Sequence, residues 1–410
     1  MLNLLTRLRG LAAPERKRSR TGPLIAWQAT GRPVWTPRDY AGMAREGYLS
    51  NAIVHRCVRL VAETAAQAQL SVRVDGREDE SHPLAALMRR PNPRQAWSQL
   101  METVYGHLLV SGNAYIEAVD LGGEVRELHA LRPDRMRVVP GADGWPLAYD
   151  YTVGAQTVRF RQDGEGAPPI LHLASFHPLD DHYGLSAMEA AARAVDIHNA
   201  AGAWNKALLD NAARPSGALV YAGPEGATLT EAQFERLKGE LEESFQGARN
   251  AGRPLLLEGG LDWKPLSLSP RDMDFIEAKA AAARDIALAF GVPPMLLGLP
   301  GDAAYANYRE ANRALWRQTV APLVRRAMAA FAAWLGEAFA ADIAIEPDLD
   351  AVEELAEDRE ALWRRVLAAG DLLTDAEKRV ALGYPPAPSP EPAREAASHG
   401  SPSRTLRRAQ

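Results

Sequence analysis

The sequence predicts an α+β protein built from more than one folded unit, and three observations carry that expectation. Apolar residues recur at helical spacing in several long stretches, short β-branched and aromatic runs separated by glycine turns lie between them, and 410 residues exceed one ordinary domain. Apolar residues make up 47% and charged residues 24%, so a packed core is available. The formal net charge of −5 excludes a protein that binds nucleic acid simply by being basic. The single cysteine, Cys57, excludes a disulfide framework and a Cys-based zinc site.

Residues 1–40 read as an extended basic arm. Arg7, Arg9, Arg16, Lys17, Arg18, Arg20, Arg32 and Arg38 face Glu15 and Asp39 alone, and Pro14, Pro23, Pro33 and Pro37 prevent a continuous helix. Residues 342–360 carry nine carboxylates against Arg359, which reads as an acidic helix with a solvated or partner-facing surface. Between these ends, Ile53, Cys57, Leu60 and Val61 recur at helical spacing, which makes Cys57 a buried, inert thiol. A second helix is expected from Ser98 to Val110, with Ser98 as its cap. Strands follow at 112–119, 136–139, 147–153, 157–160 and 170–173, punctuated by Gly122-Gly123 and by Gly141 to Gly144. Tyr149, Tyr151 and Val153 fall on one face of their strand and Asp150 and Thr152 on the other, which favours an antiparallel sheet with one wet face. Residues 41–184 thus read as one α/β unit.

A long helix is expected from Ser186 to about Ala212, with Ser186 and Glu189 forming a capping box. A compact insert over 215–270 holds a strand at 217–221, a charged helix over 231–245 and a strand at 254–258. A second helix over 272–290 repeats Ile276, Ala280, Ala283, Ala287 and Phe290 as a narrow apolar seam. The two helices bracket the insert and suit an antiparallel pair that holds it at the far end. Pro293, Pro294, Gly298, Pro300 and Gly301 mark 291–304 as an irregular loop. A third long helix resumes near Tyr308, and Pro322 should kink it. A helical unit covers roughly 350–382, and the Pro/Ser/Ala/Arg-rich tail from Pro385 is expected to be disordered. The apolar stretch Ala327 to Ala341 is interrupted by Glu337 and too short to span a bilayer, and the N-terminus lacks the pattern of a secretory signal.

Enzyme motifs are missing from the sequence: no phosphate-binding G-x-x-x-x-G-K-[ST], no G-x-S-x-G and no H-E-x-x-H. One cluster, His172, His177, Asp180, Asp181 and His182, offers the residue types of a metal-dependent hydrolase, but its spacing matches no metal motif. A hydrogen-bonded turn is the simpler reading. Neither cofactor nor catalytic residue is expected.

Several strings resemble the portal proteins of tailed bacteriophages and gene transfer agents. They are NAIVHRCVRLVAE (51–63), HPLAALMRRPNP (82–93), LLVSGNAYIEA (108–118), GLSAMEAAARA (184–194), LEGGLDWKPL (257–266), IALAFGVPPMLLG (286–298), TVAPL (319–323) and GDLLTDAEKRVALGYPP (370–386). Ala187 departs from the pattern, where many relatives have proline. The resemblance implies a portal-type fold: an α/β wing over 41–184, a first stem helix over 185–212, a clip over 213–270, a second stem helix over 271–292, a tunnel loop over 293–306, a long kinked wing helix over 307–341 and a helical crown over 342–384. It implies a non-enzymatic subunit of a ring of about a dozen copies at one capsid vertex. Double-stranded DNA would pass through that ring. The terminase large subunit, the head-tail adaptor and the major capsid protein would be its partners, in a virion assembled in the bacterial cytoplasm.

The same resemblance places Gly298, Gly301, Asp302, Ala303, Ala304 and Tyr305 in the tunnel loop, and Arg236, Lys238, Glu240, Glu242 and Glu243 on the docking surface of the clip. Lys279 and Arg284 are candidate lumen charges, with salt bridges to neighbours such as Glu277 and Asp285 as the alternative. An acidic chain suits such a channel, since a cationic ring would hold many phosphates at once.

Overall fold

The computed structural model describes residues 35–384 except 80, 123, 165–166, 211–216, 222–229, most of 231–260, 266–274 and 300–304. The basic arm, the C-terminal tail, most of the insert and Gly301 to Ala304 lie outside the described residues. The described residues from Thr36 onward belong to one unit.

The chain enters through Tyr40–Gly42 and a π-helical turn, Met43–Leu49, and then forms α1, Ala52–Ala66. Asn51 caps α1: its side-chain oxygen accepts from the amides of Ile53 and Val54. Cys57 and Val61 are fully buried on the inner face of α1, together with Val54 and Val58. Burial pushes the Cys57 thiol up to about 12, which leaves it a neutral core side chain. After β1 (Leu70–Val74) and α2 (Pro83–Arg89) comes α3, Trp97–Ser111. Ser98 does not cap this helix. It starts earlier, and the Gln99 side chain accepts from the Ala96 amide at 3.0 Å, so Ser98 sits inside the first turn.

The strands are β2 (Asn113–Leu121), β3 (Glu124–Leu131), β4 (Met136–Pro140), β5 (Pro146–Val153), β6 (Gln156–Arg161) and β7 (Ile170–Ala174). They form two antiparallel three-stranded sheets, β3-β2-β7 and β4-β5-β6, as the alternation along 147–153 predicts. Tyr115, Leu131, Met136, Val138, Tyr149 and Ile170 form a small core of their own within the strand region. The main core joins α1, α3, β2 and the helices that follow.

The first long helix is α4, Ala187–Asp210, and strands β8 (Gly217–Tyr221) and β9 (Leu261–Pro265) pair antiparallel after it. The predicted helix over 231–245 and strand over 254–258 lie mainly outside the described residues. Next come α5 (Phe275–Ala289) and a short 3-10 turn, Pro294–Leu297, inside the loop expected to be irregular. The third long helix has two halves, α6 (Tyr305–Leu315) and α7 (Ala321–Phe339), joined by a π-helical turn, Trp316–Val320. The widened turn ends just before Pro322, whose ring and missing amide cannot continue a regular ladder.

The acidic stretch departs most from expectation. Residues Ile343–Pro347 are a strand, β10, paired antiparallel with β1 from Leu70↔Pro347 to Val74↔Ile343. Ile343 and Ile345 are buried, so the alternation Ile-Ala-Ile-Glu serves a sheet and not a solvated helix. Helical structure resumes as α8 (Ala356–Ala368) and α9 (Asp375–Ala381), the latter capped by Thr374 and Glu377.

Candidate functional site

The junction between β2, β7 and α4 organises the region that feeds the helix pair. Gly112 ends α3 with φ of 74°, and a Cβ there would overlap the Gly184 carbonyl. The converse also holds, since a Cβ on Gly184 would overlap the Gly112 carbonyl and the Ser175 amide. Two backbone segments thus touch where only glycine leaves room. Asn113 closes the junction. Its side-chain oxygen accepts from the Gly184 amide at 2.8 Å, and its NH2 donates to the Ser111 carbonyl at 2.8 Å and the Gly184 carbonyl at 3.3 Å.

The Asn113 oxygen is also 3.0 Å from His172 Nε2, so that nitrogen carries the proton and Nδ1 accepts from the Tyr149 hydroxyl at 3.3 Å. The His172 ring stacks on Tyr115 at 4.3 Å. Burial, with His182 nearby, pushes the His172 pKa down to about 4, so the ring is neutral.

The rest of the histidine-carboxylate cluster forms a hydrogen-bonded turn. Asp180 accepts from the amides of His182 and Tyr183 at 2.8 and 2.9 Å, and these bonds hold its carboxyl below the usual range. His177 Nδ1 accepts from the Leu179 amide at 3.0 Å, and the Tyr183 hydroxyl accepts from the Val138 amide. Among the described residues no three His, Cys, Asp or Glu side chains come together to hold a metal. The turn runs straight into α4, where the Ser186 hydroxyl accepts from the Glu189 amide at 2.8 Å, which is the N-cap half of the expected capping box.

Helices α4 and α5 pack against each other as an antiparallel pair: Ala187 shares a groove with Phe290, while Lys279 Nζ lies 4.0 Å from where a Cβ at Gly202 would stand. The buried face of α5 is Ala282, Ala283, Ile286 and Ala287, continued by Phe290 beyond its end. Ile276 is 79% exposed and Ala280 is exposed too, so the predicted seam is covered over its second half only. Leu288 is 78% exposed on the same helix, and Ile197 and Trp204 are outward on α4.

Of the candidate lumen charges, Lys279 lies against α4, where burial first and the Lys279 charge second lower the pKa of His198. It makes no salt bridge among the described residues, and Arg284 is half-buried. Gly298 ends the 3-10 turn with φ of 69°, and Tyr305 begins α6, so Tyr305 is helical and not in the loop. Gly301, Asp302, Ala303 and Ala304 lie outside the described residues, as do Lys238, Glu240, Glu242 and Glu243 of the insert; Arg236 is exposed.

One residue that sequence reasoning passed over anchors the base of the loop. Thr319, in the π-helical turn, donates to the Gly291 carbonyl at 2.7 Å, and Gly291 has φ of 64°. A threonine three residues before a helix-kinking proline was the available signal.

Comparison with known proteins agrees with this arrangement. A family model described as phage portal protein matches residues 52–383. A protein of Rickettsia bellii, described as uncharacterized, is 40% identical over 343 residues, covering 83% of this chain and 88% of that one. The portal protein of Enterobacteria phage HK97 is 27% identical over 293 residues, covering 68% and 63%. A chain in the neck of an empty gene transfer agent particle, computed with C6 symmetry, is 57% identical, with a TM-score of 0.68 over 89% of this chain and 99% of that one. An HK97-family portal protein from Corynebacterium diphtheriae shares the fold with a TM-score of 0.54 at 18% identity, over 78% and 99%. The match begins at the first residue of α1, takes in the glycine junction and the helix pair, and ends just beyond α9: the chain belongs to the phage portal protein family.

Proposed function

We propose that this portal protein is the repeating subunit of a homo-oligomeric ring of about a dozen copies at one capsid vertex. Double-stranded DNA is packaged and ejected through that ring. The observation that carries the reading is the helix pair: α4 and α5 cover one another and the core with one face, yet keep Ile197, Ile276 and Leu288 turned outward. Apolar side chains in such numbers on a structured pair mark a protein contact. The 57% identity to chains of gene transfer agent particles supports the same reading and favours that class of particle.

On this reading α4 and α5 are the stem, and the segment between them, 213–270, is the clip that docks first the terminase large subunit and then the head-tail adaptor. Arg236, Lys238, Glu240, Glu242 and Glu243 contribute its charged surface. The loop that ends before α6 at Tyr305 approaches DNA, with Asp302 repelling phosphates so that a moving duplex meets shallow minima. The crown faces the capsid interior, the wing meets the major capsid protein, and ATP hydrolysis belongs to the motor. The subunit resides in the virion after assembly in the host cytoplasm. Deleting Gly301 to Ala304 tests the assignment: rings persist, while DNA packaging or retention falls. Normal packaging by that variant makes the loop a mere connector.

A further inference from the structure

The turn that leads into α4 carries two apolar side chains that nothing in the subunit covers. Phe176 is 82% and Leu179 is 91% exposed. They are not on a slack loop. The Asp180 carboxylate takes two backbone amides, His177 takes the Leu179 amide, and the Tyr183 hydroxyl ties the far side of the turn to β4. A rigid turn that presents bare leucine and phenylalanine has the character of a docking element. Beside them Asp181 is exposed and makes no ion pair among the described residues.

A receptor of matching chemistry begins beside the turn, at Ser175, and extends away from it. A cavity of about 460 Å³ opens where the end of α5 meets the start of α7, with walls from Leu108, Leu288, Phe290, Pro322 and Leu323. Arg326 is the charged residue of its lining; it is exposed and makes no ion pair among the described residues. Apolar knobs next to an exposed carboxylate thus have a counterpart in a groove of mixed apolar and polar walls next to an exposed guanidinium.

The geometry of α4 separates the body of the turn from Ala187. Ala187 lines the groove, whereas Glu189 lines a second cavity together with His177, Asp180 and Tyr183 of the turn. Residues two apart on an α-helix point about 200° from each other. The body of the turn, His177 to Tyr183, thus lies across the first turn of α4 from Ala187, whereas Ser175, the residue before Phe176, lines the groove itself.

We propose that the turn Phe176–Asp181 of one copy of this chain seats in the Leu288–Leu323 groove of the next copy, with Asp181 paired to the neighbour's Arg326. The proposal rests on the ring reading above and adds to it the identity of the contact. It assigns the histidine-containing segment before α4 to subunit recognition.

Thiol cross-linking tests it, because Cys57 is fully buried and leaves engineered cysteines as the reactive ones. Leu179→Cys and Leu323→Cys proteins are assembled separately and as a mixture, then treated with a short bis-maleimide. The mixture gives a cross-linked dimer, and neither variant alone does. Rings that form from the mixture without the dimer overturn the contact while leaving the ring itself standing. Failure of the unaltered protein to form rings overturns both. Charge reversal gives an independent reading. Asp181→Arg and Arg326→Asp each raise the subunit concentration for half-assembly by about tenfold or more, and the double variant returns it to near the parent value. A double variant no better than the singles overturns the pairing.

Discussion

Replacing Asn113 with alanine probes the junction that sets the direction of the helix pair. The residue is 6% exposed, and its carboxamide joins three segments: the end of α3, strand β7 through His172, and the turn before α4. Alanine strands two donors, the Gly184 amide at 2.8 Å and His172 Nε2 at 3.0 Å, and removes the two bonds donated by the NH2 group. Asn113 and Gly184 line a cavity of about 260 Å³, so water reaches part of the vacated space and holds the cost at the low end of its range. At roughly 1–3 kcal/mol for each stranded buried donor, two donors at the low end give a loss of stability of about 2 kcal/mol. Urea unfolding of parent and variant at one fixed subunit concentration, followed by tryptophan fluorescence, measures it. A loss under about 1 kcal/mol refutes the reasoning, since the carboxamide would then be exchanging its partners for solvent at no cost.

Burial holds His107, on α3 with its Nδ1 3.2 Å from the Tyr40 hydroxyl, and His172 at about 4, so between roughly pH 6.5 and 4 the unfolded chain binds protons that the folded chain does not. Stability is therefore full above pH 6.5 and falls as the pH drops to 4, by on the order of 3 kcal/mol for each ring; urea midpoints across that range record it, and His172→Gln flattens the slope. Ile345→Ala, at a position 4% exposed and opposite Val72, costs about 2–4 kcal/mol, and a loss under about 1 kcal/mol contradicts the β1–β10 pairing. Asp302→Lys adds one cation per subunit to the proposed channel and makes packaging steeply salt-dependent, a change that a packaging assay over a salt series detects.

The parts of the fold that sequence reveals are those with a local cause. Ser186 and Glu189 announce the start of α4 within four residues, and the alternation from Tyr149 to Val153 announces a sheet with one wet face. The β1–β10 pair has no local cause: Arg73 and Glu346 meet across 273 positions, and the carboxylates around Ile343 and Ile345 mask the alternation. Likewise Ile276 belongs to a real helical seam, yet periodicity cannot say whether the covering surface belongs to the same copy or the next. The Gly112–Gly184 contact is similar, since each glycine looks like an ordinary turn until the other backbone is set against it. The histidine-carboxylate cluster was visible as residue types, but only the amides accepted by Asp180 and His177 reveal a turn in place of a ligand set.

The central claim is that this chain works as a ring around DNA, and the most direct measurement is the native mass and the negative-stain image of the purified protein over a range of concentration and salt. The account predicts a closed ring of about a dozen subunits with an axial channel, assembling as concentration rises. A particle that stays monomeric under every condition, with its outward Ile276 and Leu288 left in water, contradicts it.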